Sequence, residues 1–136
     1  MVKITGEYRG ELHCVAVHGP SGAELKTDAP KDNMGRGEAF SPTDLLATSY
    51  ATCVVTTMGI AAKKKGVELG QIRFEVTKEM SADAPRRVVR LAAQFWMPIA
   101  KSDPLAEWLE TIAHNCPVHH SLHPSVETPV VFHWAE

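Results

Sequence analysis

Apolar and polar positions follow three different patterns along the 136-residue chain. The first third breaks into short stretches, Lys3 to Arg9, Leu12 to His18 and Ala23 to Thr27, separated by Arg9-Gly10-Glu11 and Gly19-Pro20-Ser21-Gly22. Glycine and proline there supply turn geometry, so the stretches read as three strands. In the second, alternation is imperfect, and Cys14 shares a face with Leu12, Ala16 and His18. A loop, Asp28 to Phe40, follows and contains Ala29-Pro30 and Gly35-Arg36-Gly37.

The pattern then changes to Leu45–Ala62, a run of 18 residues without a charge. Ser41-Pro42-Thr43-Asp44 predicts a helix start at its head: Ser41 caps free N–H groups, Pro42 fits the first helical position, and Asp44 closes a capping box. Lys63, Lys64 and Lys65 suit the negative end of the helix dipole, and Gly66 suits a left-handed stop. About 24 residues at a rise of about 1.5 Å give a helix roughly 36 Å long. Strict alternation returns over Ile72 to Glu79, with Arg87 to Met97 as its hairpin partner across the Ala84-Pro85 turn. After Asp103-Pro104, Leu105, Trp108, Leu109 and Ile112 recur at helical spacing, predicting a helix from Leu105 to His114. A short helix through Leu122 follows, opened by Pro117 with Asn115 as its cap, and Val126 to Trp134 closes the chain as a strand. The sum is a single α+β domain over residues 1–136, of a size whose apolar surface a partner chain can complete, so a homodimer is expected.

Charge excludes some functions. The net charge is −2, and the 14 basic residues are scattered apart from Lys63-Lys64-Lys65 and Arg86-Arg87, which argues against nucleic acid as a partner. The uncharged run reaches the length of a membrane span, but Thr48, Ser49, Thr52, Thr56 and Thr57 make it too rich in hydroxyls. A helix buried inside a soluble protein is the expectation, with no membrane partner. Met1 to Glu7 carries no apolar signal core, and three cysteines are an odd number, so a cytoplasmic, reducing location is expected, where disulfides are transient and catalytic.

The candidate chemistry lies in Cys53, inside the uncharged helix, and Cys116, 63 residues downstream in Asn115-Cys116-Pro117-Val118-His119-His120. Each has its own local setting, which suggests a thiol pair that meets in space. By spacing alone all three cysteines are equally read as small buried apolar residues, and Cys14 stays in that reading. A reactive thiol needs its anion stabilised. Cys116 has helix N–H groups beside it, whereas Cys53 has only the hydroxyls of Ser49, Tyr50, Thr56 and Thr57 within a turn. His114, His119, His120 and His123 crowd around Cys116, which leaves three readings open: a metal site, a histidine that tunes Cys116, and plain structural or surface histidines.

Glu38-Ala39-Phe40-Ser41-Pro42-Thr43-Asp44-Leu45-Leu46-Ala47, then Cys53 mid-helix, then Asn115-Cys116-Pro117-Val118 and Ser121-Leu122-His123-Pro124, resemble in order the OsmC/Ohr family, named for osmotically inducible protein C and organic hydroperoxide resistance protein. The resemblance is to its broad OsmC-like branch. It implies antiparallel sheets around a long central cysteine-bearing helix, in an intertwined homodimer with sites at the subunit boundary. It also implies a thiol peroxidase: Cys53 attacks an organic hydroperoxide and becomes a sulfenic acid, Cys116 condenses with it to a disulfide, and an external lipoyl-type dithiol restores both. No bound cofactor is required.

Two positions depart from the family's pattern. Thr43 stands where strong peroxidases of the family have glutamate, with the acid shifted to Asp44, and no residue matches their N-terminal arginine cleanly. Arg9 and Arg36 are the candidates for it, and Glu38 and Asp44 are further supporting candidates. Thr43 precedes Cys53 by ten residues, about 15 Å along one helix, so contact between that helix start and the thiol has to come from another subunit. The departures keep a second function open, a small-molecule binder of the same fold with little or no turnover.

Overall fold

The computed structural model describes residues 1–136, which divide into two compact units, Met1–Leu46 and Ala47–Glu136. In the first, β1 (Ile4–Tyr8), β2 (His13–His18) and β3 (Glu24–Asp28) form an antiparallel meander. The β1–β2 turn is tight enough to force Gly10, Glu11 and Leu12 all to positive φ (84°, 52° and 62°), which removes Leu12 from the predicted second strand. A short 3₁₀ turn, Lys31–Asn33, interrupts the loop that follows β3. That loop folds back so closely that a Cβ on Gly35 would lie 1.7 Å from the Ala29 carbonyl oxygen.

Asp28 ties this loop down. Its buried carboxylate accepts from His13 Nδ1 at 2.8 Å and from the Glu38 backbone N–H at 3.1 Å, and its own N–H donates to the Phe40 carbonyl. The His13 hydrogen bond is the main reason its acidity is strengthened, against the opposing effect of burial.

The long helix, α1 (Pro42–Lys64), begins and ends where the sequence predicts. The capping box is closed: the Asp44 N–H donates to Ser41 Oγ at 3.0 Å while the Ser41 N–H donates to Asp44 Oδ2 at 2.9 Å. At the other end Gly66 takes φ 76°, and the Val67 N–H reaches back to the Ala62 carbonyl at 3.0 Å. Replacing Ser41, itself buried, by alanine is expected to cost about 1 kcal/mol of stability, read as a lower midpoint in urea, because it orphans an N–H at the helix start.

By length and hydropathy α1 could span a membrane, with a mean hydropathy of 1.5 over its most apolar 18 residues. One face of it is packed inside the fold. Ala51, Val54, Met58 and Ala62 are fully buried along one face. The hydroxyl of Thr52 on the other face donates to the Thr48 carbonyl at 2.8 Å, which satisfies it within the helix.

The second unit also contains a mixed sheet. β4 (Arg73–Met80) and β5 (Val88–Trp96) form the predicted hairpin, and every second residue of β4 is exposed, as its alternation requires. β6 (Val130–His133) pairs with β5 in parallel, which makes this sheet mixed beside its antiparallel β4–β5 pair. Parallel strands need a long crossover, here supplied by α2 (Ala106–Ala113) and α3 (Pro117–Ser121). β6 is shorter than predicted because Pro129 has no N–H for the ladder, so residues 127–129 chiefly accept bonds from β5. Leu91, Phe95 and Leu109 are fully buried with the α1 face, and Phe95 lies 5.7 Å from Phe132 between ring centroids.

Candidate functional site

Cys53 stands at mid-helix on α1, partly exposed, and Cys116 is fully buried at the junction of α2 and α3. The fold brings them together: the two thiols are close enough to hydrogen-bond, and both are free. Cys53 opens onto a hollow of about 340 Å³ lined by Ser49, Thr52, Thr56, Thr57, Ile60 and Pro117, with no charged side chain in the lining. Thr57 Oγ1 lies 3.8 Å from its sulfur.

The cap of α3 differs from the one expected. Asn115 turns away, its Nδ2 donating to the Thr111 carbonyl at 3.0 Å, and Cys116 is itself the N-cap, its sulfur accepting from the His119 N–H at 3.4 Å. An extended backbone at Cys116 and proline behind it leave the sulfur as the nearest acceptor for the first turn. The helix N–H groups were the reason to expect a stabilised Cys116 thiolate. Burial wins instead and pushes the thiol above its ordinary range; the N–H groups of His119 and Val118 oppose it, and the Cys53 thiol adds to the rise.

Tyr50, one turn before Cys53, is buried and electrostatically coupled to Cys116. Burial raises its phenol above the usual range, partly offset by a hydrogen bond with Thr128. The His119 ring meets it edge-on, with centroids 6.3 Å apart. Sequence reasoning gave Tyr50 only a place near Cys53 and missed Thr128 entirely. The i,i+3 spacing to Cys53 carries a signal for the first, but nothing in Thr128-Pro129 marks the second.

The supporting candidates have local partners. Arg9 pairs with Glu7 at 3.7 Å and Arg36 with Glu11 at 3.6 Å, all largely exposed. Glu38 contributes its backbone N–H to Asp28, Asp44 closes the capping box with Ser41, and Thr43 Oγ1 is 3.2 Å from Ser41 Oγ within that cap. Cys14 lies near the start of β2, between Tyr8 and Thr27 on the neighbouring strands. No three His, Cys, Asp or Glu side chains gather as a metal site; His123 Nδ1 instead bonds Ser125 Oγ at 2.7 Å, and His119 stacks on His120.

The family model described as OsmC-like protein matches residues 35–130, the stretch that runs from the loop before α1 through both cysteines. The chain belongs to the OsmC-like family. Solved OsmC-like structures share the fold. One from Psychrobacter arcticus, named for osmotic stress induction and detoxification response, is 42% identical, with a TM-score of 0.87 over 97% of this chain and 94% of that one. The organic hydroperoxide resistance protein OsmC of Legionella pneumophila is 18% identical, with a TM-score of 0.78 over 98% and 96% of the two chains. An organic hydroperoxide resistance protein of Vibrio cholerae with captopril in one of its active sites is 22% identical, with a TM-score of 0.76 over 97% and 90%. No curated protein matches the sequence.

Proposed function

We propose that this OsmC-like protein is a thiol peroxidase that reduces organic hydroperoxides. The observation that carries the reading is the pairing of a buried thiol, Cys116, with a thiol that reaches an open hollow, Cys53. In the first step the Cys53 thiolate attacks the distal peroxide oxygen, the O–O bond breaks, and the alkoxide leaves to be protonated to the alcohol. Cys53 is then a sulfenic acid. In the second, Cys116 displaces hydroxide from it, forming the disulfide and releasing water. An external dithiol of lipoyl type reduces the disulfide by two exchanges and leaves as its own cyclic disulfide. No bound cofactor takes part.

The division of labour follows from burial. Cys116, with its proton held tightly, does not compete with Cys53 for peroxide, and it cannot be reached from solvent. Apolar contact in the hollow comes from Ile60 and Pro117, which suits a peroxide with an organic substituent.

The reading includes a cytoplasmic homodimer. Ile4, Tyr8, Leu25 and Phe40 of the first unit are each about half exposed or more, and a three-stranded meander with so little of its own core needs a second surface. A partner's helix start is also the source of a group for the Cys53 hollow, which has no charged side chain of its own. That same lack of charge favours a second reading, a binder of small molecules with little turnover.

One equivalent of cumene hydroperoxide is expected to consume two thiols per chain and to yield a peptide bridging Cys53 and Cys116 by mass spectrometry, with the protein sedimenting as a dimer. Unchanged thiol content after several equivalents would leave the binder.

A further inference from the structure

His119 carries the one buried side-chain nitrogen of the chain, Nδ1, that has no hydrogen-bond partner. Buried polar atoms are almost always paired, so an orphan asks for an explanation. The residue stands one turn after Cys116 on α3 and donates its backbone N–H to the Cys116 sulfur at 3.4 Å. Its ring packs edge-on against Tyr50, centroids 6.3 Å apart at 72°, and stacks on His120 at 6.0 Å. Tyr50 is the residue that also neighbours Cys116 electrostatically. The orphan nitrogen thus belongs to a ring that packs on Tyr50, itself a neighbour of the buried thiol, and to the residue whose N–H meets that sulfur. A metal ligand would need companions, and none gather there. A ring serving only to fill space would do so better without a polar atom.

We propose that His119 is the general base of the resolving step. Its Nδ1 takes the proton from the Cys116 thiol as that sulfur attacks the Cys53 sulfenic acid, and hands it to the departing hydroxide, which leaves as water. The imidazole ends as it began, one S–S bond has replaced one S–O and one S–H bond, and no outside reactant enters. This rests on the peroxidase reading. In the resting chain the Cys116 sulfur is engaged by Cys53 and by the His119 N–H, so Nδ1 has its work only once the sulfenic acid exists.

The protonation states favour this. Burial raises the Cys116 thiol above its ordinary range, so little of it is ionised at neutral pH and unaided attack is slow. Burial, with His120 and His114, lowers the His119 imidazole below its ordinary range, so it is a neutral base at pH 7. The titratable groups that act on its imidazole are His120 on its own segment and His114 after α2, with no carboxylate among them; the Tyr50 ring meets it edge-on, and its backbone N–H reaches the Cys116 sulfur.

The test follows sulfenic acid and disulfide separately after one equivalent of cumene hydroperoxide, with dimedone trapping the former, in His119→Gln, His119→Ala and the control His123→Gln. In wild type and control, disulfide formation is expected to be flat through neutral and mildly alkaline pH and to fall only in acid, below the ordinary histidine range, as the imidazole protonates. In the His119 variants sulfenic acid forms at the wild-type rate, but its closure at pH 7 slows about 100-fold and rises about tenfold per pH unit, tracking Cys116 ionisation. Added imidazole should restore part of the rate in His119→Ala. Equal closure rates and equal pH profiles in wild type and His119→Gln overturn the assignment while leaving the peroxidase intact; this comparison decides even if His119→Ala does not fold. A wild-type protein that makes no Cys53–Cys116 disulfide removes the peroxidase reading itself, and the proposal with it.

Discussion

Cys53→Ser is expected to consume no hydroperoxide, whereas Cys116→Ser consumes about one equivalent per chain and then stops. Serine oxygen at neutral pH is not ionised and has no sulfenic acid state to pass through, so the first substitution removes the chemistry while keeping nearly the same volume beside Thr57. The second leaves the attacking thiol and its hollow intact but takes away the group that closes the disulfide, so Cys53 is stranded as a sulfenic acid after one attack. Residual hydroperoxide and trapped sulfenic acid, measured on the same samples with a lipoyl-type dithiol present, distinguish the two. Sustained turnover by Cys53→Ser would remove Cys53 from the mechanism. Sustained turnover by Cys116→Ser would mean that the external dithiol reduces the sulfenic acid directly and that the buried thiol serves the fold alone.

Phe95→Ala is expected to cost about 3–5 kcal/mol, a large share of the roughly 5–15 kcal/mol by which a domain of this kind is folded. Phe95 is fully buried on β5, and its ring lies against Phe132 on β6. Its loss combines the transfer free energy of an aromatic ring with a cavity that β-strand backbones on both sides cannot close. The effect should reach the site. The β5–β6 pairing closes the crossover that contains α2 and α3, and with them Cys116. Denaturation in urea should give the stability loss, and a thiol reagent should label Cys116 faster in the variant, since local opening exposes a sulfur that native packing seals. A fully folded variant with Cys116 still unreactive would mean that the α2–α3 segment is held independently of the sheet.

How much of this was legible beforehand depends on range. The bounds of α1 were readable because capping acts over one turn: Ser41, Asp44 and Gly66 meet groups three to five residues away. The β4–β5 hairpin was readable from alternation on both sides of a turn. The parallel placement of β6 was not, since alternation in Val126 to Trp134 fits either direction and the choice belongs to the crossover. The α3 cap was misread because Asn115 and Cys116 are both able to take it, and the backbone at Cys116 decided in favour of sulfur. The family resemblance was carried by motifs in the chain, and the matched stretch 35–130 contains nearly all of them.

By itself the order of residues determined the α+β elements, the helix on which Cys53 stands and the OsmC-like membership, because turn geometry, capping and periodicity are local and directional. Only the tertiary structure decided that Cys53 meets Cys116 across 63 residues, that Cys116 holds its proton more tightly than a helix start would suggest, and that Tyr50 and His119 border it. The physical reason is desolvation: its cost is set by everything packed around an atom, and for Cys116 that includes Cys53 and Tyr50 on α1, far away along the chain.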